Sequence, residues 1–131
     1  MLEIIDTSGT EQFVTMRDVY IKNSDGCLVV YTIDSVASFN DAKDIFKQIA
    51  RVKDADKVRV VLVGNKCDLE HDRVVAQADG RILASSLGGD FVEASAKNDV
   101  NVSTAFEKLL ALIDEGEPRI ETSKPNRCIV L

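Results

Sequence analysis

The chain has 131 residues, 45% of them hydrophobic and 29% charged, and its formal net charge is −6 at pH 7. This length and apolar content predict one soluble domain with a single core, and the negative charge argues against a nucleic-acid partner. No apolar run approaches the roughly 20 residues of a membrane span. The amino terminus has no secretory signal, and three cysteines without metal-binding spacing suit a reducing cytosol.

The first predicted elements alternate between strand and helix. A short apolar strand covers Leu2–Ile5, and segment 11–22 has apolar residues at three- and four-residue spacing, which predicts a short helix in a mobile, switch-like segment. The next strand covers 26–34. It is followed by a helix that Ser38 can cap and that runs to about Lys53.

The second half of the chain continues the alternation. Strand 58–64 is rich in β-branched residues, which is typical of a strand buried on both faces of a parallel sheet. Helices are predicted over 75–87 and from 102 to about 116, each stopped by glycine. This order predicts an α/β fold whose parallel sheet is covered on both faces, with a domain over 1–115 and a flexible tail over 116–131.

The most informative motif is Asn65-Lys66-Cys67-Asp68, which follows strand 58–64 and so lies at its carboxyl end, where open α/β sheets bind ligands. Asp68 could accept two hydrogen bonds from the adjacent N–H and NH2 donors of guanine, which adenine lacks. The stem of Lys66 could lie along the base, and the Asn65 amide could donate and accept at once. The alternative interpretation is an ordinary polar turn between a strand and a helix.

Three further motifs accompany this one. Asp6-Thr7-Ser8-Gly9 follows the first strand, an arrangement that can hold Mg²⁺, often through water, and place a glycine amide near a terminal phosphate. The short strand Phe91–Ala94 leads into Ser95-Ala96-Lys97, where a backbone N–H could reach the guanine carbonyl. The sequence ends in Cys128-Ile129-Val130-Leu131, a cysteine followed by two aliphatic residues and leucine, which is the prenylation signature.

Together, these motifs resemble the Ras family of small GTPases, and segment 6–13 with Met16-Arg17-Asp18 is most similar to the Rap branch. The resemblance covers nearly the whole chain. It implies a parallel-sheet, P-loop-type GTPase fold from its third strand onward, without the first two strands and the first helix. It also implies GTP or GDP and Mg²⁺ as cofactors, and exchange factors, GTPase-activating proteins and effectors as partners.

The resemblance implies roles for two groups of residues. On the phosphate side, it implies that Asp6 holds Mg²⁺ through water, that Thr7 lies beside it and that Gly9 senses the γ-phosphate. On the base side, it implies that Ala96 donates its backbone N–H to guanine O6. The full set on the base side is Asn65, Lys66, Asp68, Ser95, Ala96 and Lys97.

Thr10 departs from the family pattern, in which a glutamine after this glycine orients the attacking water. A threonine hydroxyl is too short for that role. Unaided hydrolysis should therefore be slow, and the resemblance to Rap implies an activating partner that supplies the missing polar group. The alternative interpretation is a solvent-exposed loop residue.

The phosphate-binding loop of the family is missing from these 131 residues, since none of the seven glycines begins a G-x-x-x-x-G-K-[ST] pattern. The first switch is missing too. Tight nucleotide binding and hydrolysis are therefore not expected of this chain alone. Met1 stands where related sequences have an internal residue, which we expect to reflect a downstream start, an alternative transcript or a truncated gene model.

The resemblance also predicts a gap in the sheet. In the family, a central strand lies between the strands that match Leu2–Asp6 and Gly26–Asp34, and no segment here matches it. Leu2–Ile5 should then lack a neighbour, and each unpaired buried backbone group costs about 1 to 3 kcal/mol. Because domain stability totals roughly 5 to 15 kcal/mol, a marginal or partly molten protein with a core of three strands is expected.

The carboxyl terminus predicts lipidation. A terminal leucine favours geranylgeranyl over farnesyl on Cys128. Stable anchoring usually takes a second signal, and the tail has only three basic residues against two acidic ones. We therefore expect reversible residence on the cytoplasmic face of membranes, in particular the plasma membrane, and otherwise in the cytosol.

Three functions remain open. The first is a guanine-nucleotide switch of the Ras type, represented by an incomplete chain. The second is a non-catalytic, lipid-tethered fragment that engages the partners of a small GTPase through its switch-like segment. The third is an unrelated Rossmann-type enzyme, which would require a G-x-G-x-x-G turn that the sequence lacks.

Overall fold

The computed structural model describes residues 2–5, 14–54, 58–116 and 127–130. Strands and helices alternate along these residues. In chain order they are β1 (Leu2–Ile5), α1 (Val14–Asn23), β2 (Gly26–Thr32), α2 (Val36–Val52), β3 (Val60–Asn65), a 3₁₀ turn (Glu70–Asp72), α3 (Gln77–Ser85), β4 (Asp90–Glu93), α4 (Val102–Gly116) and β5 (Arg127–Val130). None of the helices described here is long and apolar enough to cross a membrane.

The described strands form one parallel sheet in the order β1-β5-β2-β3-β4. The longest pairing joins Cys27–Thr32 of β2 to Val60–Asn65 of β3, and Val61–Gly64 of β3 then pairs with Asp90–Glu93 of β4. The predicted α/β fold with a parallel sheet is confirmed.

Alternation along the strands sends side chains to two separate cores. On one face, Val29 and Tyr31 of β2 pack with apolar residues of α1, α2 and α3. On the other face, Leu28 of β2 packs with Leu109 and Ile113 of α4. The sheet is therefore covered on both faces, as the order of elements predicts.

The cover on the α4 face is incomplete along β2. Leu28 is buried beneath α4, but Val30, two residues further along the same face, is 47% exposed. Strands in parallel sheets normally bury such residues on both faces. The described helices thus leave an open apolar position at the centre of the sheet.

The start of α2 differs from the prediction. Ser35, and not Ser38, is the N-cap, because its extended backbone directs its Oγ to accept a hydrogen bond from the Ser38 N–H at 3.1 Å. The Ser38 hydroxyl instead donates to the Ser35 carbonyl at 2.8 Å. Both serines have capping chemistry, and the sequence alone could not tell which one leaves the helix.

Two expectations about the sheet are corrected at its β1 end. The tail was expected to be irregular from 116 onward, but 127–130 form strand β5, which lies between β1 and β2. β1 was expected to face a gap, but Leu2–Ile5 pairs along its length with Arg127–Val130. The physical reason is that an aliphatic, β-branched segment supplies backbone partners that β1 and β2 would otherwise lack.

Candidate functional site

Two loops meet at the carboxyl edge of the sheet. The β3 loop, 65–69, follows β3, and the β4 loop, 94–100, follows β4. Because β3 and β4 are parallel neighbours, with Gly64 opposite Glu93, both loops leave the sheet on the same side. The carboxyl edge is also where ligands bind in open α/β sheets.

Three hydrogen bonds join the two loops. The Ser95 hydroxyl donates to Asp68 Oδ1 at 2.7 Å, and the Ala96 N–H donates to Asn65 Oδ1 at 3.2 Å. The Cys67 N–H donates to the Ala94 carbonyl at 3.0 Å. The structure therefore brings together four of the predicted base-side residues, and the two loops form one unit.

Ser95 is fully buried and fixes the β4 loop from within. Its backbone exchanges hydrogen bonds with Val100, both at 2.9 Å, and its Oγ accepts from the Asn98 N–H at 3.1 Å. The hydroxyl hydrogen is left to point at Asp68. Ser95 thus orients the carboxylate that was predicted to read the base, a supporting role that its place in a motif did not reveal.

Lys66 occupies the left-handed region of backbone space, with φ of 61°. This conformation costs a non-glycine residue roughly 1 to 2 kcal/mol, so the surrounding contacts must hold it in place. The bend turns the Cys67 N–H toward the β4 loop and leaves the Lys66 side chain exposed. The aliphatic stem of Lys66, which was predicted to lie along the base, is therefore not packed in the protein core.

Arg73 bridges the segments on either side of the site. Its guanidinium bonds both oxygens of Glu93, at the end of β4, each at 2.7 Å. It also bonds Glu70, in the 3₁₀ turn after the β3 loop, at distances from 2.8 to 3.0 Å. The Arg73 and Glu93 side chains are only 19% and 11% exposed, so water screens this pair poorly.

Arg73 and Glu70 each stabilise the charged form of the other. The hydrogen bonds that Arg73 donates to Glu93 and then to Glu70 raise the pKa of Arg73 further above its usual range. The Arg73 hydrogen bond in turn lowers the pKa of Glu70. Neither Arg73 nor Glu93 was predicted from the sequence to belong to the site. The spacing of Glu70 and Arg73 just after the motif was an available signal, but the partner on β4 could not be read from it.

Close packing beneath the loops depends on glycine. A Cβ at Gly64, the residue before Asn65, would come within 2.8 Å of the Tyr31 hydroxyl oxygen. A Cβ at Gly80 of α3 would come within 2.4 Å of the Phe91 ring. These two positions let β3 and α3 approach the aromatic side chains that support the site.

The chemistry of the exposed groups fits a guanine base. Asp68 offers an acceptor carboxylate, Lys66 an aliphatic stem and Ala96 a backbone donor. In this structure the Ala96 N–H already donates to Asn65, so a base carbonyl would share that hydrogen or replace the amide oxygen. Lys97, also predicted here, is exposed beside Ala96.

The phosphate-side predictions fall elsewhere. Asp6, Thr7, Gly9 and Thr10 lie outside the described residues. Within 2–5, 14–54, 58–116 and 127–130, no group of three or more His, Cys, Asp or Glu side chains could hold a metal ion. The predicted Mg²⁺ position at Asp6 therefore stays a prediction.

A comparison with protein families identifies a match. A model of the Ras family matches residues 1–115. The matched region runs from before β1 almost to the end of α4, and it includes both loops of the site.

Proposed function

Because the chain belongs to the Ras family, whose members are GTP-binding switches, we propose that its described site recognises the guanine base of a nucleotide in a switch of the Rap type. The observation that carries the proposal is the hydrogen-bonded pair of loops. Asp68 and Asn65 on one loop are held by Ser95 and Ala96 on the other. A polar turn with no ligand would not need an exposed carboxylate oriented by a fully buried hydroxyl.

Each side chain has a separate part in base recognition. The Asp68 carboxylate accepts from the two adjacent donors of guanine, and the Ser95 hydroxyl holds it in the required direction. The Lys66 stem lies along the base plane. The Ala96 N–H, with Asn65 beside it, faces the base carbonyl, which excludes adenine because adenine has a donor there.

The phosphate side of the proposal rests on the family alone. Asp6 would hold Mg²⁺ through water, beside Thr7, and Gly9 would donate its N–H to the terminal phosphate. Mg²⁺ supplies neutralisation of phosphate charge. Thr10, in place of a water-orienting side chain, makes slow hydrolysis the expectation. Since these 131 residues contain no phosphate-binding loop pattern, we expect weak nucleotide affinity of them alone.

Nucleosides test the base site without the phosphate side. Guanosine added to the full chain should shift the backbone amide signals of Cys67 and Lys97 in NMR spectra, and adenosine should not. Asp68→Asn replaces one acceptor oxygen by a donor, so guanosine should bind about 10- to 100-fold more weakly, and xanthosine, which has a carbonyl at that position, should bind better.

Asp72→Asn is the matched control, because Asp72 is an exposed carboxylate a few residues away in the 3₁₀ turn. It should leave guanosine binding unchanged. Equal shifts with adenosine and guanosine, or equal effects of the two substitutions, would contradict guanine recognition at this site.

A second candidate is a lipid-tethered, non-catalytic fragment, and helix α1 favours it. Asp18 of α1 is bonded by Arg51 at 3.0 Å and by Gln48, both on α2, so the switch-like helix is held against α2. Val19 beside it is 56% exposed. The fragment would engage exchange factors, activating proteins or effectors with α1 and reach membranes through geranylgeranyl on Cys128.

This second candidate predicts nucleotide-independent binding. An effector domain specific for Rap-type switches should bind the full chain in calorimetry without added nucleotide, and Val19→Asp should weaken it at least tenfold. Ile82→Asp on α3, where Ile82 is 69% exposed, is the control and should have no effect. Equal loss in both variants would contradict a surface centred on α1.

A further inference from the structure

A groove between α2 and α3 has apolar side chains that no described element covers. Val36 of α2, Val74 before α3 and Ile82 of α3 line this groove and are 52%, 57% and 69% exposed. The groove has a volume of about 470 Å³. Single exposed apolar residues are ordinary, but three around one concavity are typical of a surface that binds another molecule.

The floor of the groove is buried and fixed. Phe39 and Val75 lie in it and are 6% and 3% exposed, and the Phe39 ring packs edge to face on Tyr31 with 4.9 Å between the ring centres. The N–H groups of Val74 and Val75 donate to the Ile33 carbonyl, at 2.8 and 3.1 Å, which ties this end of the groove to the segment just after β2. Because the floor is already in place, a ligand gains affinity without having to order it.

Both walls of the groove are helix faces. The lining residues of α2 run from Val36 to Lys43 at i, i+3, i+4 and i+7, and those of α3 and its C-cap run from Asp79 to Ser86 at the same spacing. Each wall is two turns long, about 10 Å. An extended segment laid between two helices would leave its own N–H and C=O groups unpaired over apolar side chains, whereas a helix pairs its own. The groove therefore fits a helix.

The lining also includes one charge of each sign. Asp79 lies in the first turn of α3, and Lys43 lies two turns after the start of α2, with its ammonium 5.0 Å from the centre of the Phe39 ring. Both helices begin at the carboxyl edge of the sheet, so the carboxylate lies near that edge and the ammonium further from it. Neither side chain forms an ion pair with another residue that the structure describes.

The two charges determine the direction of a matching helix. Such a helix needs an acidic residue opposite Lys43 and a basic residue opposite Asp79, about two turns apart, with apolar residues between them. Acidic residues stabilise the first turn of a helix and basic residues the last, because of the helix dipole. The acidic residue should therefore come first in the sequence of the helix, so that the helix runs antiparallel to α2 and α3.

We propose that the groove between α2 and α3 is a docking site for an amphipathic helix of a partner protein. This helix has leucine-like side chains on the floor of the groove, an acidic residue at Lys43 and, two turns later, a basic residue at Asp79. The proposal does not rest on guanine recognition, since none of the predicted base-side residues lines the groove.

A model peptide tests the docking and its direction. The peptide has about 18 residues, enough for an isolated helix, with glutamate at i, leucine at i+3 and i+4, and lysine at i+7. In NMR spectra of the full chain it should shift the backbone amide signals of Val74, Ile82 and Leu83. A paramagnetic label on its amino terminus should broaden the signals of Lys43 and Ser86 and not that of Val74. The opposite pattern of broadening would overturn the proposed direction.

Charge reversal tests the contact at Lys43. Lys43→Glu should weaken peptide binding about three- to tenfold, because two carboxylates then face each other. A second peptide, with lysine in place of its glutamate, should bind Lys43→Glu more tightly than it binds the unaltered chain by a similar factor. If the second peptide does not prefer the variant, Lys43 does not contact the acidic residue, and the proposal is wrong as stated.

Ile82→Asp tests the apolar contact. It places a charge on an apolar wall of the groove, so the first peptide should bind at least tenfold more weakly. Ser85→Asp is the matched control, because Ser85 is exposed on the same helix and does not line the groove. It should leave peptide binding unchanged. Equal losses in the two variants would place the peptide elsewhere and overturn the proposal.

Three further results would overturn the docking of a partner helix. The first is that the peptide shifts none of the amide signals around the groove. The second is that these signals move when the protein without peptide is diluted, which would assign the groove to a second copy of the chain. The third is that the peptide binds more tightly once residues 117–131 are removed, which would assign the groove to the chain's own tail.

Discussion

The two ends of the sheet are held together in different ways. At the β3 and β4 end, each strand pairs with a neighbour close to it in the chain, helices cover both faces, and the following loops bond to each other. At the β1 end, a short strand depends on β5, about 120 residues later, and β5 touches β2 through only its last residues. The β3 and β4 end, called the recognition end after the base recognition proposed for its loops, is locally assembled, and the β1 end depends on a distant segment.

This difference implies that the two ends can be separated energetically. Burial and ladder hydrogen bonds at the recognition end do not require β1 or β5. Opening of β5 should therefore be a local event, with a free energy below that of global unfolding.

Leu62→Ala should destabilise the whole domain. Leu62 is fully buried in β3 and belongs to the core beneath α2, so its truncation should lower the free energy of unfolding by about 2 to 5 kcal/mol. Urea denaturation followed by circular dichroism measures the change. Ile82→Ala, at an exposed position of α3, is the control and should stay within about 0.5 kcal/mol.

A shortened chain without residues 127–131 completes that comparison. It should lose amide protection in β1 while β3 keeps its own. If the deletion also removes amide protection from β3, the recognition end is not self-supporting, and the contrast between the two ends is wrong.

Arg73→Gln should act within the recognition end. It leaves Glu93, which is largely buried, without its hydrogen-bond donor, and should lower the free energy of unfolding by about 1 to 3 kcal/mol. It should also speed amide exchange in the 3₁₀ turn and weaken guanosine binding, because the turn that follows the β3 loop loses its link to β4. Urea denaturation and hydrogen exchange measure the two effects.

Arg51→Gln is the matched control for Arg73. It removes an ion pair of similar length, Arg51 to Asp18 at 3.0 Å against 2.7 Å for Arg73 to Glu93, but one exposed to water. Exposed pairs contribute about 0 to 1 kcal/mol. Equal losses of unfolding free energy in the two variants would mean that burial of the Arg73 bridge adds nothing to stability. The loops would then be held by Ser95 and the backbone alone.

Tyr31→Phe should have the smallest effect at neutral pH. The Tyr31 hydroxyl is buried and has no hydrogen-bond partner among the described residues, so its removal should change stability by less than about 1 kcal/mol. Burial, and then the Glu93 carboxylate, raises the pKa of Tyr31 to about 12, against the opposing charge of Arg73.

The direction of the pH effect follows from the difference between the pKa of Tyr31 in the folded protein and its pKa in the unfolded chain. Above its ordinary pKa of about 10, the phenol ionises in the unfolded chain while the folded protein retains the proton. The stability contributed by this group is therefore complete below pH 10 and is lost as pH rises to about 12. Urea denaturation across that pH range should show a fall in the free energy of unfolding of the unaltered protein. Tyr31→Phe should make this fall smaller. An identical fall in both proteins would assign it to other groups.

Most of the fold could be predicted because its signals are local. Helix α4 ends at Gly116 as the sequence predicts, α3 lies within the predicted 75–87, and β3 is shifted by only a residue or two. β5 could not be predicted, since its existence depends on unpaired groups in β1 and β2 that no window around Arg127 contains. Prolines in the preceding segment pointed away from a strand.

The candidate site, like the fold, could be predicted only in part. Parallel strands bring Asn65 and Asp68 beside Ser95 and Ala96, and strand order is enough to predict that. The φ of Lys66 and the Arg73 bridge depend on three-dimensional contacts, so the sequence did not indicate them. Guanine binding by these residues stays a prediction, as do the phosphate-side roles.

The distance along the chain between β1 and β5 determines how much time separates the synthesis of the two strands. Ribosomes add about 5 to 20 residues per second, so β1 waits roughly 6 to 24 s after it is made before its only described neighbour has been translated. During that interval its backbone is an open edge on a nascent chain, the kind of surface that chaperones cover and that aggregates grow from. Of the described strands, the one made last is the one that pairs with the one made first.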